Sequence, residues 1–236
     1  MKPLDFLTEL FFPSSCLGCG KPQSDENETG MACRACLSKV THLTWPFCGL
    51  CGRRLLACAK CPTHKAAALE GVAAASDYTD PFIKKLVTTH KYKFVRELSA
   101  PLAKLLSKTC TDAFCGLSDK NVLLVPVPLH AKRKRWRGFN QSEDLARHTS
   151  RMLGYPWHDA LSRTKATKPQ VDILDPVARR KNVGGSFVVI APDVIREKNI
   201  ILVDDVSTSG ATLESASRAL KDSGAKTVWG LVVARG

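Results

Sequence analysis

An α/β chain is predicted, with a doubly wound, mainly parallel sheet over residues 71–236 and a small cysteine-rich module at residues 1–64. Three observations predict it. Short apolar runs at Asn121–Val125, Asn199–Val203 and Thr227–Val233 have the length and branched composition of buried strands. Helical periodicity fills the intervals between them, and such alternation gives a parallel sheet with helices on both faces. Four C-x-x-C pairs fall within 46 residues near the N-terminus and set that module apart.

The pairs are Cys16/Cys19, Cys33/Cys36, Cys48/Cys51 and Cys58/Cys61. A C-x-x-C turn aims two thiolates at one metal, and two turns complete a tetrahedral site. Two structural Zn²⁺ in four-cysteine ribbons are therefore expected. Sequential pairing gives Cys16, Cys19, Cys33 and Cys36 one metal, and Cys48, Cys51, Cys58 and Cys61 the other. An interleaved cross-brace is the alternative arrangement. Sites saturated with thiolates leave no open position for Lewis-acid chemistry. Disulfides would need an oxidising compartment, which nothing at the N-terminus suggests. His42 and His64 lie near the pairs and read as surface residues. Cys110 and Cys115 lie outside the module and read as small inert side chains.

The remaining elements follow in order. Leu4, Leu7, Leu10 and Phe11 fit one face of a short docking helix. After an Ala/Lys-rich connector, Gly71–Tyr78 reads as a strand. Pro81 suits the first position of a helix whose inner face is Phe82, Ile83, Leu86 and Val87. A second helix is expected from about Val95 to Ser107, with Leu98, Leu102, Leu105 and Leu106 inward, and Pro101 bends it or divides it. The strand at 121–125 ends in Pro126-Val127-Pro128, which cannot continue a central ladder. Asn140 with Glu143 reads as a capping box, opening a helix with Leu145, Thr149, Met152 and Leu153 inward and Gly154 at its end. Residues 163–182 are polar and read as a long mobile loop. Strands at Ser186–Ile190 and Asn199–Val203, a helix at Leu213–Lys221 and a strand at Thr227–Val233 close the chain.

The formal charge is +13, from 35 Lys and Arg against 22 Asp and Glu. Thiolate-rich zinc sites lower that figure but leave the chain basic, which suits a polyanionic partner. No apolar run approaches the ~20 residues of a membrane span. The N-terminal apolar stretch is broken by Asp5 and Glu9, unlike a signal peptide. A cytoplasmic protein without membrane insertion is expected.

The densest chemical signal is Asp204-Asp205-Val206-Ser207-Thr208-Ser209-Gly210-Ala211-Thr212. Two acids end a strand, outside the core, and a loop of small hydroxyl residues opens onto a helix N-terminus. Ligands of open α/β sheets bind at such strand ends. The helix N-terminus favours a phosphate, and the acids suit vicinal hydroxyls or Mg²⁺. Together these describe a sugar phosphate.

This stretch resembles the phosphoribosyl-pyrophosphate (PRPP) motif of type I phosphoribosyltransferases. The resemblance implies that Asp204 and Asp205 hold the ribose hydroxyls and that Thr208 to Thr212 cradle the 5′-phosphate, with Ser209 standing where Thr is more usual. Further blocks coincide with it: the cysteine pairs after Phe12-Pro13, Val125-Pro126-Val127-Pro128-Leu129, Arg137-Gly138-Phe139-Asn140-Gln141-Ser142, and Arg163-Thr164-Lys165 through Phe187. With these, the chain is similar to the ComF family over nearly its full length. That resemblance implies a zinc-ribbon module on a phosphoribosyltransferase-like domain. It also implies a part in natural transformation, handling incoming single-stranded DNA in the cytoplasm, alongside other DNA-uptake proteins.

Five of the six residues from Lys132 to Arg137 are cationic, with Trp136 among them and Phe139 next. Arg133 and Arg137 suit pyrophosphate oxygens, and the same block with its aromatic rings suits single-stranded DNA. In a catalytic site, pyrophosphate would leave C1 of PRPP through an oxocarbenium-like state, with Mg²⁺ on the pyrophosphate. Asp204 and Asp205 would then face the developing cation, and Lys165 or Lys168 would close over the leaving group. No acceptor-recognising residue is legible. Three functions stay open: a competence protein binding PRPP and single-stranded DNA, a phosphoribosyltransferase for a small base, and a PRPP-sensing adaptor without turnover.

Overall fold

The computed structural model describes residues 15–22, 31–56, 59–93, 95–114, 121–164 and 185–236. The N-terminal docking helix, Cys58, Cys115, Lys165 and Lys168 lie outside these residues.

The cysteine-rich module is mostly turns, with a four-residue helix α1 (Arg34–Leu37) capped by the Cys33 side chain. The larger domain begins with β1 (Val72–Asp77) and α2 (Pro81–Tyr92). Asp80 caps α2 by accepting from the Phe82 and Ile83 N–H groups, satisfying donors a helix start leaves unpaired. A 3₁₀ turn at Arg96–Leu98 leads into α3 (Ser99–Ala113). Pro101 therefore lies in the first turn of α3, where its missing N–H costs nothing. The expected helix start at Val95 is replaced by that turn.

Next come β2 (Val122–Pro126), the short helix α4 (Ala131–Arg137) and α5 (Gln141–Leu153). The basic block is thus helical. Met152 is 48% exposed, so the inner face of α5 departs from expectation: it buries Gln141, Ser142 and Asp144 together with Leu145, Ala146 and Thr149. Asp144 can be buried because Arg96 binds it through two nitrogens at 2.9 Å and Arg147 through a third at 2.7 Å. A hairpin of β3 (Leu161–Arg163) and β4 (Phe187–Val189) flanks the 165–184 segment. Arg163, expected at the start of a loop, closes β3 opposite Phe187. The chain then forms α6 (Pro192–Ile195), β5 (Asn199–Ser207), α7 (Ala211–Asp222) and β6 (Thr227–Arg235).

The main sheet has the order β1-β6-β5-β2, and all three pairings are parallel. Its strands are buried on both faces, as a crossover-covered sheet requires. The period of two sorts their side chains. Ala73, Ala75, Leu124, Ile201, Val203, Trp229 and Leu231 face a core shared with α2, α3 and α5. Val72, Ala74, Leu123, Ile200, Leu202 and Val228 face the core under α7 and the hairpin. Each fully buried aliphatic side chain contributes ~1.5–3 kcal/mol.

The cysteine module packs on the open edge of β1. Phe47 and Val72 exchange two backbone hydrogen bonds of 2.8 Å, and Leu43 N–H donates to Ala75 carbonyl at 3.2 Å. Its buried residues Leu37, Val40, Cys48 and Leu55 belong to the same apolar cluster as the sheet. No described helix is long and apolar enough to cross a membrane.

Candidate functional site

The site grows from β5. Asp205 continues the odd register of Ile201 and Val203, which puts its side chain toward α2 and α5. Lys91, in the last turn of α2, meets it there at 2.8 Å. Gln141, the first residue of α5, donates to the other Asp205 oxygen at 3.1 Å. Ser142 Oγ donates to Asp204 at 2.9 Å, and the Asp205 N–H reaches the same Asp204 oxygen at 2.9 Å. Val206 N–H donates to Asp205 at 2.7 Å. Both Asp205 oxygens and Asp204 Oδ1 are thus engaged.

The Arg-Gly-Phe-Asn-Gln-Ser block divides its labour residue by residue. Arg137 donates to Gln141 Oε1 at 2.6 Å, fixing the amide that reaches Asp205. Gly138, at φ 79°, ends α4 in the left-handed region where a side chain would be strained. Phe139 turns inward against His90, with ring centroids 5.7 Å apart. Asn140 caps α5 at Ser142 N–H and donates to the Val127 carbonyl, tying the helix start to the end of β2. Glu143 pairs with Lys134 at 3.3 Å. A stacking role for Phe139 is corrected, since it is 6% exposed, whereas Trp136 is 65% exposed.

A cavity of about 330 Å³ opens over these groups. Asp204, Asp205, Val206, Ser207, Thr208, Ser209, Gly210, Ala211 and Thr212 line it, together with Arg133 and Arg137. Arg133 and Arg137 are spaced i, i+4, so one face of α4 serves the cavity while Lys132, Lys134, Arg135 and Trp136 are exposed on the rest. Lys91, Gln141, Ser142, Tyr92 and Arg163 also line it, with no role assigned to them from sequence. Gln141 and Ser142 were legible as part of a motif. Lys91 carried no signal, because a lysine near a helix C-terminus ordinarily complements the helix dipole.

Burial and then the neighbouring Asp205 push the Asp204 carboxyl up to about 7. Burial is the largest influence on Asp205 and would raise it too, but the Lys91 ammonium, by charge and by hydrogen bond, together with the Gln141 amide holds Asp205 below the ordinary carboxylate range. The pair therefore shares its burden unequally, one acid ionised against Lys91 and the other readily protonated. The expectation that both acids sit outside the core is corrected for Asp205, which is 3% exposed. It is a buried charge whose removal strips Lys91 of its counterion.

The cysteine module gathers two four-ligand clusters, each with its ligand atoms within 4.8 Å of one another. A tetrahedral zinc with Zn–S of ~2.3 Å needs S···S separations of about 3.8 Å. Cys19 and Cys33 sulfurs lie 3.9 Å apart in the first cluster, with Cys16 and Cys36 completing it. In the second, Cys51 and Cys61 sulfurs lie 3.8 Å apart. Its other members are Cys48 and His64, whose Nδ1 lies 3.4 Å from Cys48 Sγ and 3.6 Å from Cys61 Sγ. Both clusters fit structural zinc. The surface reading of His64 is corrected. Cys61-Pro62-Thr63-His64 is a C-x-x-H turn, and its 3₁₀ geometry brings residues three apart to one side. Sequential pairing of the knuckles holds among the described residues, with no interleaving.

Comparison with known proteins matches the double zinc ribbon domain to residues 7–67 and the phosphoribosyl transferase domain to residues 140–235. DNA utilization protein YhgH of Salmonella typhi is 33% identical over 191 residues, covering 78% of this chain and 80% of that protein. Competence protein F of Haemophilus influenzae is 29% identical over 231 residues, covering 94% of this chain and 97% of that protein. The chain belongs to the ComF family. Competence protein ComFC of Bacillus subtilis is a further ComF relative, 27% identical over 201 residues, with 81% of this chain and 78% of that protein covered. In this ComF chain Lys91, Arg133 and Arg137 precede the segment matched to the phosphoribosyl transferase domain.

Two outcomes follow. Reduced protein should contain about two zinc ions per chain by atomic absorption, and His64→Ala about one. An undiminished zinc content in His64→Ala would remove His64 from the ligand set. Asp204 holds its proton in the folded state up to about pH 7, whereas an unfolded aspartate releases it near pH ~4. The folded chain thus binds more protons in that window, and this contribution to stability is lost as pH rises from about 4 to about 7. In urea melts of ligand-free protein, Asp204→Asn should gain on wild type as pH is raised from about 5 to about 8; a pH-independent difference between the two would contradict this assignment.

Proposed function

We propose that this ComF-family chain serves DNA uptake in natural transformation from the cytoplasm, binding PRPP with Mg²⁺ in the cavity and single-stranded DNA on the outer face of α4. The observation that carries the first half is the convergence of Asp204, Asp205, the 206–212 loop, Arg133 and Arg137 on one cavity. The loop at the N-terminus of the twelve-residue α7 is assigned the 5′-phosphate. Asp204 and Asp205 are assigned the ribose hydroxyls, and Arg133 and Arg137 the pyrophosphate, with Mg²⁺ offsetting its charge. The positioning of the acids supports this reading: Lys91 and Gln141 hold Asp205, and Ser142 holds Asp204, in place before any ligand arrives.

The DNA half is supported by the names of the relatives, competence and DNA utilization proteins, and by the partition of α4. Lys132, Lys134, Arg135 and Trp136 are exposed beside a cavity that takes Arg133 and Arg137 for itself. Cations that track phosphates and an exposed ring that stacks on any base are what sequence-tolerant single-strand binding requires.

Calorimetry with PRPP and Mg²⁺ tests the cavity. Asp204→Asn leaves the Asp205–Lys91 pair intact and replaces a charge-assisted hydrogen bond to the ligand worth ~1.5–3 kcal/mol, so affinity should fall roughly 10-fold or more. Unchanged affinity, or no binding by wild type, refutes the assignment. Pyrophosphate release with a panel of bases reads whether the site also turns over.

Binding of single-stranded DNA should weaken with salt at a slope of about −0.7 per neutralised phosphate. Lys132→Ala with Arg135→Ala should make that slope shallower. Trp136→Ala should cost ~1–3 kcal/mol and leave the slope unchanged. Wild-type binding that ignores salt would reject the DNA surface.

A further inference from the structure

The 206–212 loop does not stand alone. Gly210, its turning residue, has φ 67° and ψ −1°, and no side chain caps α7 there. A Cβ on Gly210 would run into the carbonyl oxygen of Gly49. Gly49 lies between Cys48 and Cys51, two ligands of the second metal cluster. A Cβ built on Gly49 would in turn stand 3.8 Å from Gly210 Cα and 2.8 Å from the Leu69 side chain. The two backbones touch at a point where neither residue has a side chain.

The segment leaving the same cluster grips the helix that follows the loop. Glu214, in the first turn of α7, accepts from Ala68 N–H at 3.2 Å and Leu69 N–H at 3.0 Å. Those residues are tied to the ligand His64 through the Ala67 N–H bond to its carbonyl at 3.0 Å. So the loop is bounded by the second cluster on two sides, through Gly49 against its apex and through residues 64–69 against its helix. The first cluster docks elsewhere. Lys85 Nζ donates to the Leu17 carbonyl at 2.8 Å, and a Cβ on Gly18 would meet Phe82, both on the early turns of α2.

We infer that the second zinc site positions the phosphate loop, with Gly49 as a positioning residue: the metal closes the Cys48–Cys51 turn, and that turn holds Gly210 where the loop N–H groups converge on a sugar 5′-phosphate. This inference rests on the phosphoribosyl reading of the cavity. A turn closed by metal is rigid, and one released from it lets Gly210 and the start of α7 relax. The pyrophosphate end, on α4, lies outside these contacts.

Two probes separate the two ends of the cavity in the full-length protein: ribose 5-phosphate for the loop and inorganic pyrophosphate for Arg133 and Arg137. Affinities are measured by calorimetry, with metal content and melting temperature recorded for each protein. His64→Ala should lose the second metal and bind ribose 5-phosphate roughly 10-fold or more weakly, the scale of a loop displaced by about an ångström, while pyrophosphate binding stays at the wild-type level. His64→Cys, which offers a fourth thiolate, should restore both metal and ribose 5-phosphate affinity. Cys19→Ser should lose only the first metal and bind both probes as wild type does. Should His64→Ala not fold, Cys19→Ser protein is stripped stepwise with a chelator, and ribose 5-phosphate binding should fall in step with its residual zinc. Ribose 5-phosphate affinity that survives loss of the second metal overturns the inference. So does a parallel loss of both probes, or an equal effect from Cys19→Ser. A wild-type protein that binds neither probe fails the cavity reading itself, and the inference falls with it.

Discussion

Two neighbouring carboxylates at the end of a buried strand are an electrostatic burden, and much of the larger domain is organised to meet it. Like charges this close do not both ionise readily, so the ionised acid needs a counter-charge and the pair needs donors. Lys91 provides the charge, and Gln141, Ser142 and two backbone N–H groups provide the donors. That requirement fixes where α2 must end and where α5 must begin. It explains why the buried face of α5 opens with Gln141 and Ser142 in place of aliphatic residues. It also explains the tie from Asn140 to Val127, which holds the start of α5 against β2.

The strands and the site loop were legible in sequence because they obey short-range rules. Parallel strands read as unbroken apolar runs, and Asp204 to Thr212 carries its strand, acids, turn and helix start within a dozen residues. Lys91 was not legible, since its partner lies more than a hundred residues away and its local setting is that of any helix end. The short strand β3 escaped because three residues give no periodicity, and its pairing depends on β4 across the 165–184 segment. Phe139 was misread because a ring beside five cations looks exposed, whereas the turn at Gly138 rotates it under His90 and Arg96.

The cysteine module shows the same division. Repeated C-x-x-C spacing announced the metal, and the first cluster follows it directly. In the second cluster the ligand His64 comes from a C-x-x-H turn that overlaps the last C-x-x-C pair at Cys61. Spacing alone offers Cys61 two partners, Cys58 and His64; Cys58 lies outside the described residues, and the path of the chain brings His64 beside Cys48 and Cys61. That path is set by Leu69 and Glu70, whose N–H groups are held by Glu214 and by the Val228 carbonyl.

The strand order carries a consequence for the way the chain is made. β1 and β2 emerge early but occupy opposite edges of the sheet, and the two strands that join them, β5 and β6, are the last to be synthesised. Until then each early strand would trail an unfilled ladder, the kind of edge that recruits other chains. The stretch from Leu43 to Phe47 is already available and pairs with β1 from the outer side. In the folded chain the metal-binding module therefore closes the outer edge of β1, and β6 closes the inner one, so β1 ends with both of its ladders engaged.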